Sequence, residues 1–461
     1  MPADDSPAVL VARFLRANNY SETLEAFLAE AGLPPDAGTV SRNSFTLEKL
    51  LDEKRTFDLS VRFEKLGEND NDTETGWRRD APSKRTIVST LPSTSNILHT
   101  SFESLCPSDS QTPTAVILAT TADRRLNVIA LPSLALDKTS TGLQDSPVLS
   151  YAVLDANHVL AASMSGQLTL AENLSHVLDR RRDHTKYIVK VVTYRLDDDA
   201  CTILVATAGW DAKIHIYRLT MEQTSNPAIP EPFSTITLPS NPEALQFLPH
   251  PESGDPILIV TRRDSSFLYY YTLDTPPRLL GRQNLAPHSN AWVAFTPSAI
   301  ALSPTDPSLL AIATSAVPHM KLIITRLLIP PIVTPTDVPS VSQAAQARAE
   351  MLVQDREAAA IQIHCSTLAP QTPYSTPALV WRPDGSGLWV NSDDGVIRGF
   401  ERTTGKHVVT LAGHEPGTKV RCLASSFVEV EGRREEWLVS GGFDQKLIVW
   451  KPETEEAAAA S

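Results

Sequence analysis

A chain of 461 residues with 42% hydrophobic content can fill one large core and a small one beside it, which argues against disorder as its resting state. Its formal net charge of −13 opposes contact with a phosphate backbone, because nucleic-acid affinity rests on Lys and Arg neutralising phosphates, so no direct nucleic-acid partner is expected. Cys106, Cys201, Cys365 and Cys422 stand singly with no Cys-x-x-Cys pair, so neither a disulfide framework nor a zinc site is expected, and no cofactor.

The opening residues lack the basic-then-apolar order of a secretion signal. The most apolar run, Leu322 to Val333, is broken by Arg326 and Pro330-Pro331, so no membrane partner is expected. The expectation is a soluble chain inside the cell, cytoplasmic and/or nuclear.

Ser6-Pro7 marks a helix start: the hydroxyl can accept from an orphan amide, and proline is preset for the first turn. Leu10, Val11, Phe14 and Leu15 then form one apolar stripe. Asn18-Asn19 should stop the helix, since asparagine tolerates the left-handed conformation, and Ser21 is expected to cap a second helix. Its buried face takes Leu24, Phe27, Leu28 and Ala31 before Gly32 and Pro34 end it. Helices below roughly 12 to 15 residues are marginal alone, so a second copy completing a four-helix bundle is expected.

Arg13-Phe14-Leu15, Asn18-Asn19-Tyr20, Glu22-Thr23-Leu24 and Ala26-Phe27-Leu28 with Glu30 resemble the LisH dimerisation motif, Asn19 standing where that motif usually carries glycine. The resemblance implies a homodimer with Leu10, Phe14, Leu15, Tyr20, Leu24, Phe27 and Leu28 at its interface. The alternative is a hairpin packed onto its own chain. A further amphipathic segment, Ser44 to Arg55, would extend the interface, giving a module over residues 1–60. Residues 61–84, acidic around Glu68 to Asp72, read as a flexible tether.

Beyond Lys84, short β-branched runs alternate with turn residues, and an internal similarity recurs at roughly 40 to 50 residues, the spacing of propeller blades. The last copy is clearest. It runs Gly413-His414, an inner strand Lys419 to Phe427, a second strand Glu436 to Gly441, a turn through Asp444 and a third strand Lys446 to Trp450. This resembles a WD repeat, with Lys451 in place of the signature aspartate. The resemblance implies a structural tetrad in which Asp444 holds His414, which reaches Ser440 and then the Trp450 indole.

A second copy uses His184, Thr207, Asp211 and Tyr217, with the same offsets between its Thr, Asp and aromatic. Weaker copies are Ala115 to Leu131 around Asp123, Val148 to Leu170 around Ser165-Gly166, Leu245 to Leu273 around Asp264, Ile300 to Leu328, and Leu379 to Phe400 around Asp394-Gly395. They bring the count to seven; lacking His, Trp or both, these blades are expected to rely on strand packing. Arg85 to Leu91 is the candidate closing strand, pairing with Lys446 to Trp450 so that no sheet edge is left open. The expected fold is therefore an all-β, seven-bladed β-propeller of WD-repeat type with a small N-terminal α-helical LisH module. The propeller spans 85–454, and residues 455–461 form a disordered tail.

Pro330 to Pro339 reads as a projecting polyproline-like loop and Gln343 to Ala360 as an exposed helix, an insertion over 330–360 ahead of an outer strand at Ile361 to Thr367. In WD-repeat propellers the residue before the turn aspartate lies on one rim face. The resemblance assigns Trp210, Arg263, Asp393 and Phe443 to a partner-binding face, with Ala122 in the first repeat. The alternative is that the two aromatics fold back as packing.

The chain has no phosphate-binding glycine loop with a lysine, no Gly-x-Ser-x-Gly and no His-Glu-x-x-His, and Gly385-Ser386-Gly387 reads as a turn, so no catalytic residue is assigned and no enzyme is expected. Asp197-Asp198-Asp199 reads as a solvated turn and Arg180-Arg181-Arg182 as a charged loop edge. The functional expectation is a scaffold binding other proteins. The alternative is a substrate receptor or core subunit of a ubiquitin ligase, although Tyr217-Arg218-Leu219 and Phe400-Glu401-Arg402 do not match the Trp-Asp-x-Arg docking signature.

Overall fold

The computed structural model describes residues 6–39, 46, 77–106, 112–196, 201–221, 227–287, 295–332 and 343–453; for 343–348 it describes the backbone alone. Most of Ser44 to Arg55, the acidic centre of the tether, Asp197 to Asp199, residues 333–339 and the C-terminal tail therefore lie outside the described residues. The chain divides into two units, Met1–Thr73 and Glu74–Ser461.

In the first unit α1 (Pro7–Ala17) starts where the Ser6 hydroxyl accepts the amide of Val9 at 3.4 Å. It ends at Asn18, and Asn19, with φ of 59°, reverses the chain into α2 (Ser21–Glu30). Ser21 does not cap α2 as the sequence suggested. The reversal is tight enough that Ser21 is already helical, and Tyr20 holds the cap position without a side-chain bond.

Ala12, Leu24 and Leu28 form a small buried core, with Leu15, Phe27, Leu33 and Ala37 half-buried against it. The segment after α2 folds back over α1, where the Arg16 guanidinium donates to the carbonyls of Pro35 (2.8 Å) and Ala37 (3.0 Å). Gly38 makes that crossing possible: its φ is 78°, and a Cβ there would lie 2.7 Å from the α1 backbone at Ala12 and Arg13. Leu10 and Phe14 stay half-buried on the other side of α1, with Val11 and Tyr20 exposed.

The second unit is seven four-stranded antiparallel sheets. Blade 1 is β2 (Ile97–Leu105), β3 (Thr114–Thr121), β4 (Leu126–Ala130) and β5 (Leu136–Ser140). Blade 2 is β6 (Val148–Val153), β7 (His158–Ser163), β8 (Leu168–Glu172) and β9 (His176–Arg181). Blade 3 is β10 (Ile188–Arg195), β11 (Thr202–Gly209), β12 (Lys213–Thr220) and β13 (Ser234–Thr237). Blade 4 is β14 (Pro242–Pro249), β15 (Pro256–Arg262), β16 (Phe267–Thr272) and β17 (Leu279–Asn284). Blade 5 is β18 (Thr296–Leu302), β19 (Leu309–Ser315), β20 (His319–Arg326) and β21 (Ile361–Pro370). Blade 6 is β22 (Leu379–Trp381), β23 (Gly387–Val390), β24 (Val396–Glu401) and β25 (His407–Ala412).

Blade 7 takes β26 (Val420–Val430), β27 (Arg433–Gly442) and β28 (Leu447–Lys451) from the end of the chain and its outer strand, β1 (Lys84–Ile87), from the beginning. The register pairs Arg85 with Trp450 and Ile87 with Ile448, and this sheet closes the ring. A propeller of seven blades thus follows from twenty pairings between successive strands plus one long-range pairing.

The second strands of the blades are almost wholly apolar and buried, as in Ile117–Ala119 and Ile203–Val205, because both faces of each sheet are covered by neighbouring blades. Seven apolar clusters result, each shared by two adjacent blades; Ile97, Ile117 and Ile129 of blade 1, for example, meet Trp437, Val439 and Val449 of blade 7. Six of the seven inner strands carry a bulge one or two residues in from their start, at residues 98, 149, 189, 243, 298 and 421. Short β22 carries none.

The expected tether does not run to Lys84. Trp77 lies edge-on to Trp389 at 4.8 Å, its indole donates to the Phe400 carbonyl at 3.2 Å, and the Arg382 guanidinium stacks over it at 4.2 Å. An aromatic of this size gains more by covering apolar surface between blades than by staying in solvent. The insertion after β20 contains α3 (Gln343–Ala360), largely exposed where its side chains are described. Glu357 and Ala360 are buried, and Glu357 accepts the backbone amide of Asn284 at 2.7 Å, which anchors the helix to β17.

Candidate interaction face at the channel mouth

The inner strands surround the propeller axis, and the turn between the second and third strands of each blade lies at the end where the inner strand begins. A repeated backbone bond fixes that relationship. The amides of Ala122, Met164, Trp210, Arg263 and Phe443 donate to the carbonyls of Asn96, Pro147, Tyr187, Asn241 and Lys419, respectively. Each acceptor precedes or opens an inner strand, so these five turn residues share one rim around the channel mouth.

Beneath the rim lie polar networks. In blade 7, His414 Nδ1 lies 2.9 Å from Asp444 and its Nε2 lies 2.8 Å from the Ser440 hydroxyl, which also accepts the Trp450 indole N–H at 2.9 Å. In blade 3, His184 joins Asp211 and Thr207, both at 2.9 Å. The fourth member differs: Tyr217 donates at 3.0 Å to Asp183, beside the Thr207 site. Burial pushes the pKa of His184 and His414 below the imidazole range against the pull of their aspartates. Burial acts to raise Asp211, but the His184 contact and the amides of Thr185 and Lys213 outweigh it and hold the pKa below the usual value. A buried neutral imidazole bonded at both nitrogens beside an ionised carboxylate is a strut, with no lone pair left for proton transfer.

Blades 1 and 2, which lack the histidine, do not rely on strand packing alone, as the sequence had suggested. In blade 1, Asp123 accepts from Ser93 (2.6 Å) and Thr121 (2.5 Å). In blade 2, Ser165 bonds Asp145 and Ser163, both at 2.9 Å. Short hydroxyls replace the imidazole because the turn needs only a partner for its carboxylate and amides.

On the rim, Trp210 is half-buried, 4.7 Å from the Tyr187 ring and capped by the Arg263 guanidinium at 4.7 Å. Arg263 also holds Glu243 at 2.5 Å. Phe443 is 40% exposed and Met164 48% exposed. Sequence reasoning missed Met164, whose signal was its place immediately before Ser165-Gly166, the turn of the second repeat. Asp393, expected on the face, is turned inward: it accepts from Ser375 at 2.5 Å and pairs with Lys419 at 3.1 Å, so it offers little to a partner.

The Arg180-Arg181-Arg182 run is committed locally, Arg180 to the Gly142 carbonyl, Arg181 to Asp183 and Arg182 to the Ser165 carbonyl. Among the described residues no group of three His, Cys, Asp or Glu is placed to hold a metal, and no helix is long and apolar enough to cross a membrane. None of the four cysteines is in a disulfide.

Two family models match. One describes a LisH domain of the UCP007778 family, over residues 8–35, and the other the β-propeller domain of the same family, over residues 89–451. No curated protein matches the chain. With both domains of that family in order and the propeller match covering most of its length, this chain is a member of the UCP007778 family.

Proposed function

We propose that this chain is a non-enzymatic scaffold, paired with a second copy of itself through its helical unit, which holds partner proteins on the channel-mouth face of its propeller. The observation that carries the reading is the rim of Met164, Trp210, Arg263 and Phe443, large side chains of the kinds that favour interfaces, tethered by a repeated backbone bond. Its backbone is set in advance, so binding costs little ordering entropy.

Support for pairing comes from the helices. They are 11 and 10 residues long, and among the described residues their shared core is Ala12, Leu24 and Leu28, a small one for a hairpin to stand on alone. On α1 Leu10 and Phe14 are half-buried and Val11 exposed, and Tyr20 just beyond it is exposed, apolar surface that a second copy would cover. Two propellers joined in this way would engage a partner carrying two copies of a ligand at raised effective concentration. Cysteines that form no disulfide suit a reducing compartment, the cytoplasm and/or the nucleus.

The test uses the tagged full chain beside a Met164→Ala, Trp210→Ala, Phe443→Ala variant. Proteins recovered with the first should be lost from the second while thermal unfolding stays close; equal recovery from both would remove the face. For pairing, sedimentation should give twice the chain mass, falling to the single mass in Phe14→Asp. A wild-type chain that sediments as a monomer would end that part of the reading.

A further inference from the structure

Three exposed apolar side chains stand in series where blades 5, 6 and 7 reach the channel mouth. Val317, 63% exposed, occupies the turn between β19 and β20. Tyr374 lies in the connection from β21 to β22 and, at 87%, is the most exposed large apolar side chain among the described residues. Phe443 of the blade 7 turn completes the series.

Polar contacts fasten the three stations to one another. Gln371 opens the Tyr374 loop: its amide donates to the Pro318 carbonyl at 2.8 Å, and its side-chain oxygen accepts the Ala316 amide at 2.9 Å, so the loop is held on both sides of Val317. Lys419 fastens the other end. Its ammonium donates to the Tyr374 carbonyl at 3.4 Å and pairs with Asp393 at 3.1 Å, while its own carbonyl accepts the Phe443 amide at 2.9 Å. Ser375, buried next to Tyr374, donates to Asp393 and accepts the Thr372 amide at 2.7 Å. Tyr374 is therefore held out in water by a loop with little freedom of its own, and an aromatic presented in that way loses little entropy on binding.

The charges of this arc are already matched within it. Its loops, residues 316–318, 371–378, 391–395, 413–419 and 443–446, carry Asp393, Asp394, Glu415, Lys419, Asp444 and Lys446. Lys419 answers Asp393, Arg398 answers Asp394 at 2.7 Å, Lys446 answers Glu415 at 3.0 Å, and the His414 strut takes Asp444. By contrast, Lys186, Lys213 and Asp264 stand exposed beside the turns of blades 3 and 4. A charged ligand crossing blades 5 to 7 would give up water without finding a free counter-charge. An apolar one would strand no charge and would cover apolar surface.

We infer that blades 5 to 7 form an uncharged arc of the channel mouth, which takes an apolar peptide segment free of Asp, Glu, Lys and Arg and anchors it on Tyr374. The inference rests on the proposed interaction face and names the chemistry of the partner segment over one part of it. Val317 and Phe443 bound the anchor on either side, and the matched ion pairs exclude segments of either sign.

The experiment offers a displayed library of random peptides to the immobilised full chain and, in parallel, to its Tyr374→Ala variant. Peptides kept by the first and not by the second should be rich in aliphatic, aromatic and proline residues and poor in the four charged types. The tightest of them, labelled and followed by anisotropy, should weaken about tenfold in Tyr374→Ala and recover in Tyr374→Phe. Its affinity should change by no more than about twofold between low and high salt. Tyr374→Ala should melt with wild type, because so exposed a side chain carries little folding energy, and the loss is then one of binding. Selected peptides dominated by charge, or none that tells the two chains apart, overturn the arc. A fall in sedimenting mass with Tyr374→Ala also overturns it, since the occupant would then be a second copy. Partner proteins lost from the Met164→Ala, Trp210→Ala, Phe443→Ala chain but kept by Tyr374→Ala would remove the arc and leave the interaction face standing.

Discussion

Arg382 of blade 6 and Glu436 of blade 7 form an ion pair at 2.7 Å with both side chains withdrawn from solvent. Arg382 also donates to the carbonyls of Arg79 (2.9 Å) and Asp80 (3.2 Å), so one guanidinium joins two blades and the segment that leads into the closing strand. Arg382→Met should cost about 3 to 5 kcal/mol in denaturant unfolding, because Glu436 is left charged in an apolar seam. Adding Glu436→Met should recover much of that loss. Recovery stays partial because two carbonyls still lack their donor. A double variant no better than the single would mean that the carbonyl contacts, and not the charge pair, dominate.

Trp77 makes a related prediction about where the propeller begins. A chain starting at residue 74 should unfold at a higher temperature than one starting at residue 84, although both keep every strand. Trp77→Ala in the full chain should cost about 3 to 5 kcal/mol, the usual loss for a large aromatic truncated in a packed site. Equal melting of the two shortened chains would show that the strap is incidental.

Ser440 is the junction of the blade 7 network. Ser440→Ala leaves the His414 Nε2 and the Trp450 indole N–H without their shared partner, and each buried polar group left unmatched costs roughly 1 to 3 kcal/mol. Thr121→Ala in blade 1 should cost less, since Asp123 keeps Ser93. Urea midpoints of the two variants provide the comparison.

The buried histidines set a pH dependence. Burial, followed by the neighbouring His184, lowers the pKa of His215 to about 4 against an unfolded value near 6.5. The unfolded state therefore binds the proton first as pH falls. The contribution is fully present above about pH 6.5 and is lost progressively toward pH 4. His184 and His414 shift in the same direction. Unfolding free energy should decline between pH 6.5 and 5, above the ordinary carboxylate range, with a shallower slope in His215→Gln. An unchanged slope would place the proton uptake elsewhere.

The fold was legible in the sequence wherever chemistry and spacing coincide. His414, Asp444 and Trp450 marked the last blade because each is a costly residue to bury without its partners, and Gln343 to Ala360 announced its helix through residues that favour that conformation and little else. Blade 2 was fainter because Ser163 and Ser165 do with ordinary hydroxyls what His184 does with a distinctive ring. Trp77 was read as linker because the apolar surface it covers comes from residues more than three hundred positions later. Asp393 was misjudged because its position in the turn was visible but Ser375 and Lys419, which turn it inward, were not.

Pairing Arg85 with Trp450 also governs the order of events during synthesis. A ribosome makes residues 84–87 early and residues 448–451 almost last, so the first strand of the propeller waits through the translation of nearly the whole domain before its partner emerges. Until then blade 7 has no outer strand and the nascent ring has two raw edges. Chaperones that shield such edges would meet this protein late in its making, and a message truncated by even a dozen codons ahead of Lys451 would release a ring that cannot shut.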